Sequence, residues 1–169
     1  MADYISQTVL KSGAWTHACD SCLLFYEDRF LRRKVLKTAK GASLLVDLAQ
    51  TTSLNHGDAF ALADGQVIEV VAALEPLLEI TGDLVQLAWH IGNRHTPCQI
   101  ESDRLLIQND AVIGHMLEHL GATVRQIEAP FTPEGGAYGH GRTHSHDHGA
   151  TAYDYDHDHD HDRDHDHDH

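Results

Sequence analysis

Cysteine, basic residues and long apolar runs are all scarce in this chain, and each shortage excludes something. Three cysteines in 169 residues, an odd number, do not make a disulfide framework, so a reducing cytoplasm is the expected compartment. Twelve Lys+Arg stand against 26 Asp+Glu, a formal net charge of −14. That balance argues against nucleic acid or an anionic membrane as the main partner. No apolar run approaches the roughly 18 residues of a transmembrane helix. The opening Met1-Ala2-Asp3-Tyr4-Ile5-Ser6-Gln7 lacks the basic and apolar segments of a secretory signal. The chain contains no GxSxG elbow, P-loop, GxGxxG after a strand or HExxH, and no acid/base pair can be assembled from spacing, so it reads as a non-enzyme.

Histidine is what the chain has in excess. Of its 16 His, 10 lie in residues 140–169, together with nine Asp and two Arg, so that −7 of the −14 sits there. Only Ala150, Ala152, Tyr153 and Tyr155 of that stretch are hydrophobic. A segment with so little to bury is expected to be a disordered tail. Gly135, Gly136, Gly139 and Gly141 mark a flexible exit into it.

The body shows two patterns. Leu23–Tyr26, Val35–Thr38, Ser43–Leu48, Ala59–Leu62 and Val67–Val71 read as short strands, the last two joined by a turn at Asp64-Gly65. This predicts a small all-β domain over residues 1–73. After a break at Glu75-Pro76 come a strand at Leu77–Ile80 and a helix with Leu84, Leu87, Ala88 and Ile91 on one face, with Gly92 at its end. Strands at 97–101 and 104–107 follow. A second helix over 111–120 presents Val112, Ile113, Met116, Leu117 and Leu120, capped by Asn109 or Asp110 and closed by Gly121, and Thr123–Ile127 is the last strand. The order βαββαβ is the ferredoxin-like arrangement. The predicted class is α+β, with this second domain over 74–138 and the tail over 139–169.

The tail has a definite chemistry. His144, His146 and His148 alternate with other residues, as do His157, His159 and His161, and again His165, His167 and His169; His140 precedes them. Alternate residues of an extended chain share a side, so each block offers three imidazoles together and carboxylates opposite. Imidazole suits Ni, Zn and Cu alike, so the pattern predicts metal binding without selecting the ion. Alternation with Asp and the interruption at Arg163 argue against a purification tag.

Single features in the body are weaker. A His just past a helix end, as His90 or His95 would be, is more often structural than a ligand. His115 and His119 are i, i+4 but have no evident third donor. The lone CxxC of Cys19 and Cys22 has no second ligand pair, and Cys22 and Cys98 default to core positions. The basic run Arg29–Lys34 reads first as a solvated strand edge, and second as a docking patch for something acidic.

Several short motifs, in order along the chain, resemble the UreE family of urease accessory metallochaperones. They are Tyr26-Glu27-Asp28-Arg29 with Arg32-Arg33, Leu54–Phe60, Ala72–Pro76, Ala88-Trp89-His90-Ile91-Gly92-Asn93-Arg94-His95-Thr96-Pro97, and Phe131–Tyr138, followed by a His-rich tail. The resemblance implies a homodimer built through the ferredoxin-like domain and a nickel site at its interface formed by one His95 from each subunit. It implies that a His beyond the Gly-Ala-Tyr motif completes the site, with His140, His144, His146 and His148 all in the matching region. It also implies delivery of Ni(II) for urease assembly together with the accessory GTPase and the urease maturation complex. A nickel or zinc store without a delivery partner is the alternative.

Overall fold

The computed structural model describes residues 1–135. Ten strands and two α-helices form two sheets. The first contains β1 (Tyr4–Leu10), β2 (Asp20–Leu24), β3 (Phe30–Lys37), β4 (Ser43–Ser53), β5 (Ala59–Leu62) and β6 (Val67–Ala72), in the order β2-β6-β5-β1-β4-β3. The β1–β4 and β2–β6 pairs are parallel and the rest antiparallel. Its core gathers Cys22, Leu24, Leu44, Val46, Phe60, Ile68 and Val70.

The second sheet contains β7 (Leu74–Thr81), β8 (Gln99–Ile100), β9 (Leu105–Gln108) and β10 (Thr123–Pro130), in the order β10-β7-β9-β8. With α1 (Leu84–Asn93) and α2 (Ala111–His119) the chain order is βαββαβ. The α+β class and the ferredoxin-like arrangement read from the sequence are therefore observed. Leu78, Ile80, Leu105 and Ile107 pack against Leu87 and Ile91 of α1 and Ile113 and Leu117 of α2. Leu77 and Leu106 instead cluster with Phe131, Tyr26 and Ile127. This cluster joins the two sheets.

The structure corrects the sequence reading in several places. Strand β1 was not anticipated, yet it sits between β4 and β5. Its register shifts between Ser6 and Thr8, so the inward side changes parity from Tyr4 and Ser6 to Val9 and no alternation survives in the sequence. Its one fully buried side chain is polar: Ser6 Oγ donates to the Ala61 carbonyl at 2.7 Å. Leu23 and Phe25, both within the run read as a strand, are exposed, whereas Cys22 and Leu24 are buried in the core. Val112, placed on the inner face of the second helix, is likewise exposed.

Pro76 does not interrupt β7. It pairs with Glu128 of β10, while β9 begins to pair only at Leu77. With a neighbour on one side only, a residue lacking an N–H is tolerated there.

Candidate metal centre

Helix α1 starts at Asp83, whose side chain accepts the Gln86 N–H, and buries Leu87 and Ile91. Its far end differs from the expectation. Gly92 lies inside the helix, and the left-handed residue is His95, at φ 56°. The His95 N–H donates to the Gly92 carbonyl at 3.0 Å and the Thr96 N–H to the Ile91 carbonyl at 3.3 Å. That pair of bonds is a Schellman motif with His95 at C′. A position usually given to glycine thus carries an imidazole, and its side chain is exposed. One turn earlier Trp89 is 64% exposed and packs edge-on against the His90 ring at 5.0 Å between centroids.

Three residues beyond His95 the chain meets the segment that leads to the tail. The Glu134 N–H donates to the Cys98 carbonyl at 2.8 Å, and the Thr132 N–H donates to Gln99 Oε1 at 2.9 Å. Gln99 is held in turn, because its Nε2 donates to Glu101 Oε2 at 3.0 Å. Arg104 bridges Glu101 and Glu79, and Arg125 reaches Glu79 as well. The hydrogen bond from Arg104 holds the Glu79 carboxyl below its usual range, with the Arg125 charge assisting and partial burial opposing. The root of the tail is therefore tied beside the His95 loop.

Phe131, at the head of that segment, is fully buried. Its carbonyl accepts a hydrogen bond from the buried Arg29 guanidinium, and its ring meets Tyr26 edge-on at 5.3 Å. The Arg29 guanidinium also lies over the Tyr26 ring, 5.8 Å from its centroid. The Tyr26 N–H donates to the buried Glu75 carboxylate at 2.9 Å. Arg29 is thus a joint between the sheets, although the sequence reading had placed it in a solvated basic run.

The other histidines have distinct settings. His56 Nδ1 accepts the Ala72 N–H at 3.1 Å, which pins the end of β6. Nearby, Asp58 is buried and accepts the Ser12 and Asn55 N–H groups. Gly57 has φ 90°, and a Cβ there would come within 2.9 Å of Ser12 Oγ. His115 and His119 are exposed on α2. Among the described residues no three His, Cys, Asp or Glu side chains cluster as a metal cage. Burial pushes the Cys22 and Cys98 thiols up to about 11, the charges of Asp20 and Glu134 adding to it, so both are protonated at neutral pH in the metal-free protein. An ion held tightly at His95 needs donors from another subunit or from residues beyond 135. The tail candidates His140, His144, His146, His148, His157, His159, His161, His165, His167 and His169 all lie outside the described residues.

Comparison with known proteins decides the family. The model of the UreE urease accessory protein N-terminal domain matches residues 5–73, and that of its C-terminal domain matches residues 66–169. The chain belongs to the UreE urease accessory protein family. It is 64% identical over 136 residues to the urease accessory protein UreE of Ruegeria pomeroyi, covering 80% of this chain and 91% of that one. It is 60% identical over 135 residues to the protein of the same name from Rhodobacter capsulatus, covering 80% and 86%. Membership places it in urease maturation. In this member of the family, the Phe131–Glu134, Tyr26–Arg29 and Ala72–Pro76 motifs meet at the joint between the sheets, while Ala88–Pro97 forms the helix end that presents His95. Among the described residues no helix is long and apolar enough to cross a membrane.

Proposed function

We propose that this protein carries Ni(II) to the assembling urease active site and works by ligand exchange, without catalysing a reaction. The observation that carries the reading is His95 at a left-handed C′ position, an energetically disfavoured place for a side chain, with its imidazole exposed. Two such imidazoles, one from each subunit of a homodimer, would hold the ion on the two-fold axis and leave coordination positions open. Exposed Val85 and Trp89, one turn apart on α1, offer the apolar surface such a dimer would bury.

Tail imidazoles complete and unload the site, with His140, His144, His146 and His148 the first beyond the tied root. The remaining tail His collect ions, and Zn(II) and Cu(II) compete for the same ligands. Residues 1–73 form the unit that docks partners, 74–138 the unit that dimerises and binds metal, and 139–169 the collecting tail. The partners are the accessory GTPase and the urease maturation complex, in the cytoplasm.

The test is a nickel titration of the chain ending at Tyr138, beside its His95→Ala variant, coupled to a urease activation assay with the full chain. The parent should bind about one tight ion per dimer and the variant none. A tight site left intact by His95→Ala overturns the assignment. The ten tail His favour storage as the second reading. A store would lose its function when cut after His148, whereas a carrier would still activate urease at ample nickel.

A further inference from the structure

The cations of the body are unevenly placed. Residues 1–139 contain ten Lys and Arg, and four of them, Arg32, Arg33, Lys34 and Lys37, are exposed on β3. Strand β3 is an edge of the six-stranded sheet and pairs only with β4. Exposed Val35 lies among the four cations. Little of the charge is spent locally. Lys34 makes a surface pair with Asp28 at 3.2 Å, Arg33 stands opposite Asp47 in register, and Arg32 Nε donates to the Leu48 carbonyl at 3.4 Å.

The tail has the complementary charge and starts from the right place. Residues 154–169 carry eight Asp and one Arg, −7 in all. Arg29, whose guanidinium holds the Phe131 carbonyl, directly precedes β3. The root of the tail is therefore fastened at one end of the basic edge. Taken as a flexible chain, the 19 residues from Gly136 to Asp154 would span roughly 25 Å, and the eight residues of β3 extend over about 26 Å. A linker of that length gives a local concentration on the order of millimolar, so even a weak ionic contact would be populated.

We propose that the acidic run Asp154–Asp168 of this chain docks on its own basic β3 edge, and that metal loading of the tail releases it. Each divalent ion taken up by the tail imidazoles adds two positive charges, so about three ions cancel nearly all of the −7. The empty tail is parked against the body, and the loaded tail is free to present its cargo. The contact does not depend on which metal is delivered or to whom, so it stands or falls separately from nickel delivery.

Backbone amide NMR spectra of the full chain and of a chain ending at Tyr153 test this, with Zn(II) as the diamagnetic probe. At 20 mM NaCl the Phe30–Lys37 amides should differ between the two chains. The difference should fall severalfold at 300 mM, where exposed charges are screened within several ångströms. Three equivalents of Zn(II) should also remove it, while leaving the β3 amides of the shorter chain unmoved. The double charge reversal Arg33→Glu, Lys37→Glu alters two exposed side chains and should abolish the tail-dependent differences without loss of fold. Three outcomes overturn the proposal. They are identical β3 amides in the two chains at low salt, a difference that persists at 300 mM, and the same shifts in a labelled shorter chain mixed with unlabelled full chain. The last would make another molecule's acidic segment the occupant.

Discussion

His95 and Gly121 hold equivalent positions at the ends of the two helices: each closes a Schellman motif in the left-handed region, at φ 56° and φ 88°. At α2 the Gly121 N–H meets the Glu118 carbonyl and the Ala122 N–H meets the Leu117 carbonyl. These are the bonds that His95 and Thr96 make at α1. Glycine takes this conformation freely, whereas a residue with a Cβ pays about 1 kcal/mol or more for it.

The variant His95→Gly should therefore raise stability, by about 0.5–1 kcal/mol once the added freedom of the unfolded chain is allowed for. The same variant should lose the tight metal site. Denaturant unfolding of the metal-free chain ending at Tyr138 measures the first effect and a nickel titration the second. A less stable glycine variant would mean that contacts of the imidazole outweigh the backbone cost.

Most of the fold was legible because most of its elements carry their own signals. The α2 helix shows its Asp110 cap, its Ile113–Leu117 face and its Gly121 stop, and each sits where it was read. What stayed hidden was set by partners distant in sequence. The bulge in β1 erases alternation, and its inward Ser6 is satisfied by a carbonyl 55 residues away. Arg29 looks like any surface cation until Phe131, 102 residues on, closes over it. His95 was picked out by the motif it belongs to, but its conformation was assigned to Gly92. A glycine near a helix end is the stronger local cue, and the true stop lies three residues later.

The Arg29 joint predicts a sharp dependence of stability on where the chain is cut. A chain ending at Tyr138 should keep a single cooperative transition, because both cores and the Phe131 cluster remain. A chain ending at Pro130 loses the buried Phe131 ring, worth roughly 2–3 kcal/mol, and strips the Arg29 guanidinium of the Phe131 carbonyl. The shorter chain should be less stable by about 3 kcal/mol or more. Circular dichroism melts of the two chains make the comparison, and equal stability would show that the joint contributes little.

Arg29→Lys should not rescue Arg29→Ala. The planar guanidinium donates to the Phe131 carbonyl while lying over the Tyr26 ring, and an ammonium cannot reproduce both in one geometry. Both variants should lose about 2–4 kcal/mol. A lysine variant within about 0.5 kcal/mol of wild type in denaturant unfolding would reduce the role of Arg29 to charge alone.

Glu79 gives the protein an acid-sensitive contact. Its folded carboxyl is held below the ordinary value by Arg104 first and then by the charge of Arg125. A depressed carboxylate contributes stability that is fully present above its unfolded pKa, about 4.3. That contribution is lost as pH falls through the lower, folded value. Glu79→Gln should therefore flatten the acid limb of a stability–pH profile below about pH 4.5 while leaving its slope from pH 6 to 8 unchanged. An unaltered acid limb would place the titrating group elsewhere.

Metal binding by the full chain should have its own pH dependence, set by imidazole. Protonated imidazole has no lone pair to donate, so binding to the ten tail His should fade as pH falls through about 6.5. The full chain should bind several Ni(II) ions at pH 7.5 and far fewer at pH 5.5, whereas the chain ending at Tyr138 should bind only the shared ion at the higher pH. The tail ions should also be weaker, because each must fix the backbone and side-chain dihedrals of the residues that ligate it. Equilibrium dialysis of both chains at both pH values measures the difference. If cutting after His148 removes none of the ions bound at pH 7.5, the two blocks from His157 to His169 are not collecting metal, and the tail's contribution ends with His140–His148.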